Sequence, residues 1–174
     1  YKTLKMKNYL IIFLFVSGSI FSQNINKLKK QAIRDAKSVS EASVKKDVNT
    51  LLEYTHPKIY KKYGEEQLRN DIDQVFKTMT AQKIKIVSSK INKLTEIKKE
   101  KKEYRCLVKN TIKMDFNGRA ITLKSSLFGF YDKKKEKWYF IESNKLLDDP
   151  ETQKIFKNFE TEIEIPQDEQ IADN

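Results

Sequence analysis

The sequence predicts an α+β domain in which N-terminal helices pack into a curved antiparallel four-stranded meander. Three observations carry that prediction. Apolar residues recur at helical spacing as far as Met79. After Thr80 the period changes to two. Between two cleanly alternating runs lies Asn117-Gly118, a pair suited to a two-residue turn whose central residues both need positive φ.

Taken in order, the chain begins with a leader pattern. Lys2, Lys5 and Lys7 precede twelve uncharged residues, Leu10 to Phe21, and Ser22 stands just before Gln23. A membrane-spanning helix needs roughly 20 apolar residues, so this run is short. A basic start, a short apolar run and a small residue at the cut predict a signal peptide over 1–22, with Met6 as the natural start. Cleavage near Ser22–Gln23 would place the chain in the periplasm or the medium; the alternative is an uncleaved N-terminal anchor. Residues 23–160 are read as one domain, and 161–174 as an acidic disordered tail poor in apolar residues.

Leu28, Ala32, Ile33, Ala36 and Val39 form one stripe of a first helix over 26–44. Asp47 is placed to cap a second, shorter helix burying Val48, Leu51 and Leu52, and Pro57 disfavours helix at His56. Gly64 ends the next turn. Glu65 and Glu66 then start a third amphipathic helix with Leu68, Ile72, Val75, Phe76 and Met79. The first strand slips phase near Val87, which predicts a bulge. In the second strand Tyr104, Cys106, Val108, Ile112, Met114 and Phe116 share a face. A two-residue turn at Asn117-Gly118 pairs Met114 with Ile121, Val108 with Leu127, and Asn110 with Ser125. If the lysine-rich turn after Asp132 has four residues, Trp138, Phe140 and Glu142 join the same face. Asp149 and Pro150 open a short terminal helix that docks through Ile155, Phe156 and Phe159.

Charge and cysteine bound the function. Residues 23–147 hold thirty basic and fifteen acidic residues, net +15, whereas 148–174 hold nine acids and two lysines, net −7. Such a body attracts anionic surfaces weakly. Only four of the basic residues are arginines, and specific phosphate recognition leans on arginine's planar fork, so no nucleic-acid partner is expected. The single cysteine, Cys106, lies in an apolar run and reads as a buried thiol; one cysteine excludes an internal disulfide. His56 is the only histidine, so no metal site and no cofactor are predicted.

The stretch "KKDVNTLLEYTHPKIYKKYGEEQLRNDIDQVF", with the helices-then-meander order around it, resembles secreted bacterial members of the nuclear transport factor 2-like superfamily over about Lys27 to Ser143. The resemblance implies a sheet curled around the helices, leaving a cone-shaped pocket. It also implies functions ranging from isomerases and dehydratases to small binding proteins. Isomerase-like members use a carboxylate base in the cone, and Glu142 is the only carboxylate the pattern places there.

Three functions stay open. The first is a non-enzymatic exported domain whose cone binds a small apolar or amphipathic ligand, or an envelope protein. Its pocket would be formed by Asn110, Ser125, Glu142 and Trp138, with Tyr54 or His56 at the mouth, although Asn110 and Ser125 could simply satisfy one another. The second is an isomerase or dehydratase with Glu142 as general base, which requires a shielded carboxylate. The third is lysine-mediated binding to anionic envelope polymers. A homodimer through the outer sheet face, with Leu107, Phe128, Phe130 and Tyr139 or Ile141, is a further expectation.

Overall fold

The structure is a computed structural model describing the backbone of residues 5–172 and the side chains of residues 24–172. The expected leader therefore lies outside the described side chains. Helices come first: α1 (Lys5–Lys45), α2 (Val48–Glu53), α3 (Pro57–Tyr63) and α4 (Glu65–Ala81). A curved, open antiparallel sheet comes next, with β1 (Ile84–Glu100), β2 (Glu103–Phe116), β3 (Arg119–Asp132) and β4 (Lys137–Glu142) side by side in that order. Two short helices, α5 (Ser143–Asp148) and α6 (Pro150–Ile155), and a fifth strand, β5 (Glu169–Ala172), complete the fold. Among the described residues no helix is long and apolar enough to cross a membrane.

Local chemistry sets the element boundaries. The Asp47 side chain accepts from Thr50 N and starts α2; Asp149 does the same for α6 through Thr152 N. Asn117 and Gly118 both take positive φ, 53° and 85°, as a two-residue hairpin turn requires. That turn sets the register: Met114 faces Ile121, Asn110 faces Ser125 and Val108 faces Leu127. Beyond the four-residue turn Tyr131 faces Trp138 and Leu127 faces Glu142. β1 carries register shifts at Ile86/Ser88, Ile91/Lys93 and Leu94/Ile97, the first at the expected bulge. Such bulges bend a strand and increase its twist.

The sheet separates two cores. On its inner face, Leu28, Ala32 and Ala36 of α1 pack on Tyr104, Cys106, Val108, Leu127, Trp138 and Phe140. On its outer face, Leu107, Phe128, Phe130 and Ile141 pack under Leu146, Phe156 and Ile163 of the C-terminal segment. The residues that motivated a dimer through the outer face are thus covered by the chain's own C-terminus.

The expected disorder beyond Glu160 is also corrected. Ile163 is buried, and β5 pairs with β3 from Ile121 to Lys124, which adds a fifth strand to the predicted four. Two things hold this acidic segment. Its isoleucines at 163 and 165 alternate with Glu162 and Glu164, a strand-like pattern that buries one side. Its backbone also meets the buried ion pair of Arg105 and Glu100.

Candidate functional site

The six residues predicted to line a pocket do not converge. Ser125 Oγ donates to Asn110 Oδ1 at 2.8 Å, so these two satisfy each other across the strands. Trp138 is fully buried among α1 and the inner core. It pairs with Tyr131, six residues along β3 from Ser125, a separation of about 20 Å at strand rise. Glu142 has the predicted register but ends its strand: its side chain is 58% exposed and pairs with Lys145. An exposed carboxylate is not the shielded base that the isomerase reading requires of Glu142.

Tyr54 and His56 part company at the free edge of β4. Phe140 N donates to Tyr54 O at 3.2 Å, and Thr55 bridges to Phe140, so the chain crosses the sheet edge at this point. Tyr54 stays at the edge, its ring 4.0 Å from Lys137 Nζ. His56 passes to the outer face, where its ring lies 4.8 Å from Phe130 and 4.9 Å from Phe156. The expectation that His56 sits at the mouth of an inner cone is replaced by a place in the outer core.

The inner face holds one buried acid that the helical pattern did not single out. Asp35 is fully buried; its Oδ2 accepts from Trp138 N at 3.1 Å and its Oδ1 from Arg34 Nε and Nη2. The Arg34 guanidinium is held above its ordinary value by that hydrogen bond and charge. Asp35 fastens α1 to β4 and is fully engaged in doing so.

The outer face carries the cavity. It has a volume of about 550 Å³, within the usual range of small-ligand sites. Its floor is aromatic: Phe130, Phe156, Phe159 and the edge of His56. Phe130 stacks on Phe156 at 5.5 Å, and Phe159 lies 6.2 Å from Phe130. Lys58, Lys101, Lys102 and Lys157 stand around it. A second cavity of about 560 Å³ lies between α3 and α6, lined by Lys58, Lys61, Lys62, Lys154, Ile155 and Lys157.

Arg105 forms the wall of the first cavity. Its side chain is 8% exposed, and its guanidinium sits 5.6 Å from the Phe130 ring and 5.4 Å from Phe159. Nε and Nη2 donate to Glu103 Oε1; Nη1 donates to Glu100 Oε2 at 2.8 Å and to Glu160 O at 2.6 Å. The other oxygen of Glu100 accepts from Thr161 Oγ1 and Glu162 N. Burial alone would raise the Glu100 carboxyl; hydrogen bonds from Glu162 and Thr161, with the hydrogen bond and charge of Arg105, hold it below its usual value instead. This pair pins the C-terminal segment and so builds the cavity that segment encloses.

His56 is tuned by the same place. Burial, then the charge of Lys58, pushes its pKa from 6.5 down to about 4 against a smaller opposing pull from Asp132. The neutral ring uses Nδ1 to accept from Lys58 N at 3.1 Å, capping α3. Cys106 is fully buried on the inner face, and burial pushes its thiol up. Among the described residues no group of three His, Cys, Asp or Glu could hold a metal ion.

No family model, curated protein or solved structure matches this chain. Its class therefore rests on its own geometry: an α+β domain with helices before a curved five-stranded sheet, and an aromatic cavity on the outer face.

Proposed function

We propose that this protein is an exported, non-enzymatic binding domain that takes a small amphipathic ligand in the outer-face cavity. The observation that carries the reading is the cavity itself, about 550 Å³ with a floor of three phenylalanines beside a histidine held neutral by burial. Apolar groups gain by leaving water for such a floor. The leader pattern supports export. The order of helices and meander supports placing the fold near the nuclear transport factor 2-like superfamily; on the inner face α1 packs against Trp138. Glu142, the one carboxylate proposed as a base, is exposed and paired with Lys145, which favours binding over turnover.

The test uses N-phenylnaphthylamine, a neutral probe whose fluorescence rises in apolar sites. The wild-type chain should brighten it, and Phe156→Ala, shown to be folded by circular dichroism, should not. Equal brightening by both chains, or none by the wild type, refutes the reading.

A further inference from the structure

The two cavities share Lys58 and Lys157. These residues stand between an aromatic floor on one side and Lys61, Lys62 and Lys154 on the other. Lys58 Nζ lies 5.2 Å from the centre of the Phe156 ring, so cation and apolar floor are within reach of one small molecule. The charge balance at this place is decided by which cations already have partners. Arg105 spends its Nε, Nη1 and Nη2 donors on Glu103, Glu100 and Glu160 O. Lys154 pairs with Glu151, and Lys101 with Glu160. Lys58, Lys61, Lys62, Lys102 and Lys157 form no ion pair among the described residues. The one acid in either lining is Glu103, and it is held by Arg105. An apolar slot is thus bordered by ammonium groups whose charge no described residue pairs with.

We propose that the two cavities form one site for an anionic amphiphile. Its acyl or aryl part lies over Phe130, Phe156 and Phe159, and its carboxylate or phosphate is held by Lys58 and Lys157. This rests on the proposed binding function and adds the charge of the ligand and the residues that select it. Exposed lysines hold an anion through screened Coulomb attraction, so affinity falls as salt rises. A neutral molecule of the same chain length keeps the apolar contact and forfeits that attraction.

Calorimetry on the full chain with dodecanoate, dodecyl phosphate and dodecanol tests this. The anions should bind about tenfold more tightly than dodecanol at low salt, as expected if two surface ion pairs form. Lys58→Gln combined with Lys157→Gln should bring the anions down to the dodecanol affinity and leave dodecanol unchanged. Lys109→Gln with Lys113→Gln, equal in charge but elsewhere on the sheet, should change nothing. Preference for dodecanoate or for dodecyl phosphate assigns the head group to the carboxylate or the phosphate source. If dodecanol binds as tightly as both anions, the ligand is not selected by charge, and this proposal falls while the binding function stands. If the distant lysine pair matters as much as Lys58 and Lys157, the attraction belongs to the whole body, and the proposal again falls. If none of the three binds, both readings fall.

Discussion

Protonation of His56 should make the protein lose stability in a pH range where its carboxylates do not. The unfolded imidazole titrates near 6.5 and the folded one near 4. Between those values the unfolded chain binds a proton that the folded chain does not, so stability rises with pH across the window and is lost as pH falls through it. The physical cost is twofold. A charged ring must sit between Phe130 and Phe156, and a protonated Nδ1 can no longer accept from Lys58 N. The separation between 6.5 and about 4 corresponds to about 3 kcal/mol in full. Linkage places roughly 1 kcal/mol of that loss above pH 5.5 and most of the rest between about pH 5.5 and pH 4.5.

Urea unfolding of the wild type and His56→Asn, at intervals from pH 7 to pH 5, measures this. Asn keeps a side-chain acceptor at the start of α3 and does not titrate. The variant should be less stable at pH 7, having lost the ring contacts, but nearly flat down to pH 5. Asp47, Asp149, Glu100 and Glu169, all held below their usual values, lose their contribution only as pH falls through the lower carboxylate range. Asp168 is raised by burial and by the charges of Glu142 and Asp148, so it acts with the opposite sign. It is common to both chains and cancels in the comparison. Parallel pH profiles for the two chains would refute the buried, neutral His56.

Two further predictions concern the inner core. A Cβ on Gly129 would lie 2.5 Å from Cys106 Sγ, 3.0 Å from Phe140 Cε1 and 3.1 Å from Trp138 Cε3. Gly129→Ala should therefore cost about 1–3 kcal/mol in chemical unfolding, and adding Cys106→Ala should recover part of that loss. Cys106, fully buried and with its thiol pushed up, should resist a disulfide-exchange reagent at pH 8 in the native chain. It should react once urea unfolds the protein, and fast native labelling would contradict the packing.

The parts of the fold legible in the sequence are those whose signals are periodic. Asn117-Gly118 fixed the phase of β2 against β3, and a period of two carried that register out to Asn110–Ser125 and, through the next turn, to Tyr131–Trp138. Parity says which face a side chain points to; it does not say how deep that face is. Glu142 has the right parity and lies at the surface because β4 ends there and α5 begins. Residues 127–131 of β3 are apolar on both faces, and that pattern signals two-sided burial without naming what covers the second face. The cover is Leu146 of α5 and Phe156 and Phe159 at the end of α6, of which Phe156 and Phe159 were expected to dock, joined by Ile163 of the segment whose acidity suggested disorder. Arg105 was visible only as one of four arginines; its signal was a charged residue inside the apolar run from Tyr104 to Val108. Asp35, between Ala32 and Ala36 on the stripe of α1, gave the same kind of signal. Tyr54 and His56, two residues apart, were grouped because no local pattern reports that the chain crosses an edge strand at Thr55.

Placing the cavity under the C-terminal segment couples ligand binding to the order of that segment. Phe156, Lys157, Asn158 and Phe159 are lining residues, and the chain just beyond them is tied to Glu100 and Arg105 through Glu160 O, the Thr161 hydroxyl and Glu162 N. Removing one member of a buried ion pair costs about 3–5 kcal/mol where it strands the other, and less here because Arg105 keeps Glu103. Glu100 is itself no part of the cavity lining, yet Glu100→Gln leaves Arg105 short of a carboxylate and weakens two contacts to the segment. It should speed proteolysis after residue 160 and lower affinity for N-phenylnaphthylamine together. A ligand that binds only the closed form stabilises it by RT ln(1 + [L]/Kd), so saturating probe should slow the cleavage of wild type and variant alike. If the segment is released in Glu100→Gln while the probe binds undiminished, the floor of the cavity does not depend on the C-terminal segment, and the site is wrongly drawn.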